Sequence, residues 1–159
     1  DRLLSRGLGD VYKRQETRSA IQEFQLFMDK YPSSAFRDSA QTMIDQLRSK
    51  LERKSFESAA IYHNTGQYQS ATIALRNALK EYPDSQYRER MHFLIIDSYY
   101  QYALLSTDRR KIERFNDATD AFHTFASRFP DSEYYFEAQN IYNHCVKSVE
   151  TLESQQQLK

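Results

Sequence analysis

The stretch Ala71-Thr72-Ile73-Ala74-Leu75-Arg76-Asn77-Ala78-Leu79-Lys80-Glu81-Tyr82-Pro83-Asp84-Ser85 returns twice in the chain without gaps. One copy runs from Ala20 to Tyr31-Pro32-Ser33-Ser34 and another from Ala118 to Phe129-Pro130-Asp131-Ser132. Apolar or small residues occupy the same offsets in each: Ala20, Phe24, Phe27, Tyr31; Ala71, Leu75, Ala78, Tyr82; Ala118, Phe122, Phe125, Phe129. Steps of four, three and four draw a single stripe along a helix. Each copy uses one of the chain's three prolines. Proline has no amide to donate and disfavours helical geometry in the residue before it, so each helix is predicted to stop near its aromatic. Ser34, Ser85 and Ser132 are then placed to accept from the freed amides at the start of the next helix. The predicted unit is a helix, a Pro-x-Ser corner and a second helix.

The unit is complete between Arg53 and Ser85. Ala59 and Tyr62 lie on a first helix, Gly66-Gln67-Tyr68 makes the turn, and Ala71, Leu75, Ala78 and Pro83 mark the second. This pattern resembles a tetratricopeptide repeat, with Ser55 standing where that family carries a first-helix Trp. Helix axes in such pairs approach to about 8–10 Å, which requires small residues at the crossing. Ala59 and Ala78 are predicted to make it, with Tyr62 as a core aromatic. The copies recur every 51 and 47 residues, against about 34 in the simple repeat. The first surplus is read as one long helix from Ala35 to about Thr65, its stripe formed by Phe36, Ala40, Met43, Ile44, Leu47, Leu51 and Phe56. The second is read as a helix from Tyr87 to about Leu105 and an exposed, mobile connector, Thr107-Asp108-Arg109-Arg110-Lys111, before a helix resuming near Ile112. The fold class expected is all-α, a tetratricopeptide-like superhelix of antiparallel helix pairs.

Composition agrees with this reading. With 159 residues the chain is one domain in size, and a mean hydropathy of -0.81 argues against a membrane span. Twelve Tyr and ten Phe are enough to build a packed core, whereas three Gly and three Pro are too few for an all-β chain or a Gly-rich phosphate loop. Lys plus Arg equals Asp plus Glu at 22 each, so no global field holds a nucleic acid or an anionic bilayer and any partner must use a local patch. Residues 1–15 fall outside the repeat and resemble a non-native or unstructured leader; beyond them 18 basic face 20 acidic side chains. No apolar signal segment opens the chain, so an export signal would lie outside it. Residues 16–153 form the expected repeat domain and 154–159 a frayed tail.

Chemistry is sparse. His63, His92, His123 and His144 show no His-Glu-x-x-His spacing and read as surface residues. A single cysteine, Cys145, excludes an internal disulfide, and neighbouring His144 points about 100° away on a helix, so Cys145 reads as structural rather than nucleophilic. Asp117 with Asp120 and Glu133 with Glu137 read as solvated faces. The basic run Arg109-Arg110-Lys111 lacks the interleaved aromatics of a nucleic-acid site. No catalytic residue, cofactor or metal is expected. Tyr99, Tyr100 and Tyr102, with Tyr134, Tyr135 and Phe136, are too densely spaced to share one core stripe, so some meet either a partner or the next helix pair. Arg88 lies in the first turn of a helix, where the helix dipole disfavours a cation. It either presents its fork to a partner carboxylate or pairs with Glu89 or Asp84.

The Tyr-Pro-x-Ser-x-Tyr/Phe corners at Tyr31–Phe36 and Tyr82–Tyr87, the Phe129–Tyr134 variant, and the long helix through Leu47-Arg48-Ser49-Lys50-Leu51 into Phe56-Glu57-Ser58-Ala59 resemble the BamD lipoprotein family over residues 16–159. The resemblance implies a non-enzymatic scaffold on the periplasmic face of the outer membrane, corresponding to the C-terminal part of such a protein. Its implied partners are the periplasmic region of the BamA-type barrel subunit, other assembly lipoproteins and, through N-terminal repeats outside this chain, unfolded outer membrane proteins. Membrane contact would run solely through a lipid anchor upstream, and Cys145 is not that anchor. Arg88 matches the position where the family carries an arginine at its BamA contact. Arg88, Tyr87, Tyr99, Tyr100 and Tyr134 are therefore the expected protein-binding residues, with no nucleic acid bound. The alternative is another periplasmic tetratricopeptide protein coordinating envelope maintenance or cell division.

Overall fold

A computed structural model describes the backbone of residues 2–157 and the side chains of residues 11–156. Six helices follow one another: α1 (Arg2–Lys30), α2 (Arg37–Asn64), α3 (Tyr68–Glu81), α4 (Arg88–Leu104), α5 (Asp108–Arg128) and α6 (Tyr135–Gln157), with no strand among the described residues. The fold is all-α and tetratricopeptide-like. The chain divides into two compact units, Asp1–Lys54 and Ser55–Lys159, with the boundary inside α2.

The three corners are built alike. The amides of Tyr31, Tyr82 and Phe129 donate to the carbonyls of Phe27, Ala78 and Phe125, each at 2.9 Å, and close the last turn before the proline. Two residues beyond each proline a serine hydroxyl accepts from the amide two positions on: Phe36 to Ser34 at 3.2 Å, Tyr87 to Ser85 at 3.2 Å and Tyr134 to Ser132 at 3.3 Å. The next helix starts one residue after each of these aromatics. At the α2–α3 turn Gly66 has φ +76, and the Gly66 and Gln67 amides donate back to the carbonyls of His63 and Tyr62. This is a Schellman cap, in which the left-handed position suits glycine because it lacks a Cβ.

In the first unit Ala40, Ile44 and Leu51 of α2 are buried. Ala20, Phe24 and Phe27 of α1 with Phe36, Ala40 and Met43 line an open apolar groove. Phe36 (70% exposed) and Met43 (42%) correct the expected stripe. The other two corner aromatics have rings to lie on, Tyr87 on Phe56 and Tyr134 on Phe93, and among the described residues no ring stacks on Phe36. The segment read as a leader is helical from Arg2 onward, continuous with the repeat helix. Its side chains before residue 11 lie outside the described residues, as do the last two residues of the expected tail.

The second unit holds the main core. The end of α2 brings Phe56 and Ala59 against Ala71, Leu75 and Ala78 of α3 and against Met91 and Ile95 of α4. Ala59 and Ala78, 3% and 4% exposed, are buried in one cluster together with Ala71. Ile96, Phe122, Phe125 and Ala138 form a second cluster, and Ala103, Phe115, Ala118 and Cys145 a third. Helix α4 lies at the centre, packed on α3, α5 and α6. Tyr62 is a correction, at 40% exposed. The inward stripe of α2 runs Phe56, Ala59, Ala60, His63, and Tyr62 sits about 100° off it. The connector is also corrected, because Asp108–Lys111 is the first turn of α5. The Arg110 and Lys111 amides donate to the Thr107 carbonyl, and Lys111 pairs with Asp108 at 3.1 Å and Arg110 with Glu113 at 2.9 Å.

Candidate functional site

Arg88 is the first residue of α4, held in place by the Ser85 corner, and its amide donates to the Ser85 carbonyl at 3.1 Å. Its guanidinium lies 5.5 Å from the centre of the Phe129 ring, a cation–π contact with the following corner. Among the described residues Arg88 makes no ion pair, so the pairing with Glu89 or Asp84 that its sequence allowed is not formed. The first copy differs: the equivalent Arg37 donates to the Pro32 carbonyl at 3.2 Å and is tied to its own corner. The third copy carries Tyr135 at this place.

Two consecutive corners therefore frame one cavity of about 430 Å³. Lys80 from the last turn of α3, Arg88 from α4 and Arg128 from the end of α5 supply positive charge, while Leu79, Pro83 and Phe129 give it an apolar wall. His92, one turn along α4 from Arg88, lies 5.4 Å from the Phe129 ring. Burial, assisted by the Arg128 charge, pushes the His92 imidazole down to about 4. It is thus neutral near pH 7 and adds hydrogen-bonding capacity without repelling the neighbouring cations. No carboxylate lines the cavity among the described residues. Three cations with no counter-ion among the described residues, set beside an aromatic face, are suited to a carboxylate whose stem is apolar, because a guanidinium can hold both oxygens at once.

The remaining residues singled out from sequence lie elsewhere in the helix stack. Tyr87 is stacked on Phe56 with ring centres 4.8 Å apart and planes 3° apart, and Tyr134 on Phe93 at 5.2 Å. Tyr99 packs on the first and third core clusters under the Arg76 guanidinium, 5.3 Å away. Tyr100 lies against Phe115 and His144. Burial raises the hydroxyl pKa of both Tyr99 and Tyr100. Sequence reading missed Lys80, His92, Arg128 and Phe129. One signal was available: a basic residue stands one or two places before each corner aromatic, at Lys30, Lys80 and Arg128.

A second polar constellation joins α2 to α4. His63 Nδ1 lies 3.0 Å from Ser98 Oγ, and its Nε2 lies 3.2 Å from an Asp97 carboxylate oxygen. His63 is thus largely enclosed rather than a surface residue. The trio has the residue types of a nucleophilic triad, but Ser98 is 0% exposed and no substrate can reach its hydroxyl. It satisfies buried polar groups and clasps two helices. Cys145 is likewise shut in, its thiol pushed up to about 12 by burial.

Among the described residues no helix is long and apolar enough to cross a membrane. Comparison with curated proteins returns no match. The family model YfiO, described as an outer membrane lipoprotein, matches residues 7–110, which include two of the three corners and Arg88. That span covers well over half of the chain, and it starts inside the segment read as a leader. The chain therefore belongs to the YfiO family of outer membrane lipoproteins, the BamD family that its corners and long helix resemble.

Proposed function

We infer that this chain is a non-catalytic scaffold of the outer membrane β-barrel assembly machinery, docking onto the periplasmic region of the BamA-type barrel subunit through the Arg88 cavity. Family membership supports the assembly role, which this lipoprotein family serves as a scaffold. The cavity carries the docking reading: Lys80, Arg88 and Arg128 line it together, with no carboxylate beside them among the described residues. An acidic side chain of the barrel subunit, flanked by an apolar residue able to lie on Phe129, completes the charge balance. Tyr87 and Tyr134 act by fixing the two corners that frame the cavity, and Tyr99 and Tyr100 by bracing α4. Other assembly lipoproteins and unfolded barrel proteins are partners of the same machinery.

Co-purification of the Arg88→Glu variant with the barrel subunit tests the reading. Losing a charge-assisted bidentate contact and burying a like charge at a docking site costs about 2–5 kcal/mol. Binding should therefore fall at least about thirtyfold, with helical circular dichroism unchanged because Arg88 is exposed. Undiminished co-purification would remove Arg88 and its cavity from the interface.

A further inference from the structure

The α4–α5 hairpin is longer than its counterpart. Relative to Ala118, α5 begins two turns earlier than α3 does relative to Ala71, which adds about 10 Å to the hairpin. This end carries Leu104 and Leu105, 46% and 75% exposed. Neither leucine belongs to the three core clusters. Immediately behind them, residues 106–114 contain four basic and two acidic side chains. Lys111–Asp108 and Arg110–Glu113 pairs hold this turn in shape, and Arg114 is drawn back over the Tyr102 ring. Arg109 has no ion-pair partner among the described residues. A groove of about 440 Å³ at this end is lined by Leu104, Phe115 and Leu152 together with Lys111 and Lys147.

We propose that this hairpin end is a membrane-surface contact, with Leu104 and Leu105 entering the headgroup region of an anionic phospholipid layer while Arg109 and Lys147, which have no ion-pair partner among the described residues, meet its phosphates. Charge complementarity selects the occupant. The exposed leucines close α4, Arg109 follows in the first turn of α5, and Lys147 of α6 lines the same groove as Leu104, so apolar and positive surface lie side by side as acyl chains and phosphates do at a bilayer surface. Basic side chains near such a surface each raise partitioning about fivefold, and the attraction decays within a Debye length. The contact is separate from any lipid anchor and gives the membrane a second hold on the chain. It departs from the expectation that only an anchor touches the membrane, and it stands on residues remote in sequence from the corners that frame the Arg88 cavity.

The test is co-sedimentation of the 159-residue chain with phosphatidylcholine vesicles and with vesicles of phosphatidylcholine mixed with phosphatidylglycerol. Sedimentation is expected with the anionic vesicles alone and should weaken as salt is raised. Arg109→Glu with Lys147→Glu should lower partitioning by about 25-fold or more while leaving the Arg110–Glu113 and Lys111–Asp108 pairs in place, and Leu105→Asp should lower it with all these charges intact. These positions are exposed, so circular dichroism should match the parent chain. Arg88→Glu should leave vesicle binding unaltered, which separates this contact from the docking site. No binding to anionic vesicles, equal binding to both kinds, or indifference to the tip variants would overturn the proposal. So would capture of a poly-glutamate peptide by the tip without vesicle binding, which would place an acidic polypeptide there instead.

Discussion

Cys145 is a built-in reporter of how firmly the third core cluster is closed. It is the chain's one cysteine, it is free, and it is 0% exposed beside Ala103, Phe115 and Ala118. Burial raises its thiol to about 12. At pH 8 such a thiol is ionised about 2,000-fold less than a free one with a pKa near 8.5, and the thiolate is the species that reacts. Labelling by an aromatic disulfide must therefore proceed through opening of the helices around Cys145. Phe115→Ala removes a ring that is 2% exposed in the same cluster. Truncation of a buried Phe costs about 3–5 kcal/mol. Discounting for relaxation of neighbouring side chains to about 3 kcal/mol, the open population rises about a hundredfold. The assay is the pseudo-first-order labelling rate in native buffer, with a cysteine peptide and the urea-unfolded chain as references. The parent chain should react at least a hundredfold more slowly than the peptide, and Phe115→Ala should recover most of that gap. A parent chain that reacts at the peptide rate, or a Phe115→Ala chain that reacts no faster than the parent, would show that this cluster does not enclose the thiol.

Two further outcomes are expected. Gly66→Ala should destabilise the chain by about 1 kcal/mol in urea titration, because φ +76 penalises any Cβ although open space surrounds it; Gly66→Asn should recover part of the loss, and a neutral Gly66→Ala would contradict the cap geometry. His92 titrates at about 6.5 when unfolded and at about 4 when folded. Below pH 6.5 the unfolded state takes the proton first, so the His92 contribution is fully present above that pH and is lost between 6.5 and 4. The loss should be about 1 kcal/mol after discounting for the ring's partial exposure, and His92→Gln should flatten it, read as the difference between parent and variant urea midpoints across that range.

Much of the fold could be read directly because local physics repeats itself. Three prolines at one offset, three serines two places on and a stripe at steps of four, three and four left few alternatives, and the corners formed with matching hydrogen bonds. The long helix through Leu47 and Leu51 followed from an unbroken helical period. Tyr62 and Phe36 were misjudged because periodicity gives the spacing of a stripe but not its centre. Which flank of the stripe is covered depends on the helices that arrive against it. The connector 107–111 was misjudged because high charge resembles a loop until its i,i+3 ion pairs are seen.

The candidate site was legible in one residue only. Arg88 stood out because a cation in the first turn of a helix has no local reason to be there. Lys80, His92, Arg128 and Phe129 join it from as far as 41 positions along the chain. By itself the sequence determined the three Pro-x-Ser corners, the helix ends just before them, and the small residues of the repeat stripe, since those depend on backbone donors and on spacing along one element. Tertiary structure alone decided that two successive corners face one cavity, that no carboxylate lines it among the described residues and that His92 stays neutral there. Charge and desolvation depend on distances through space, which the order of residues does not state.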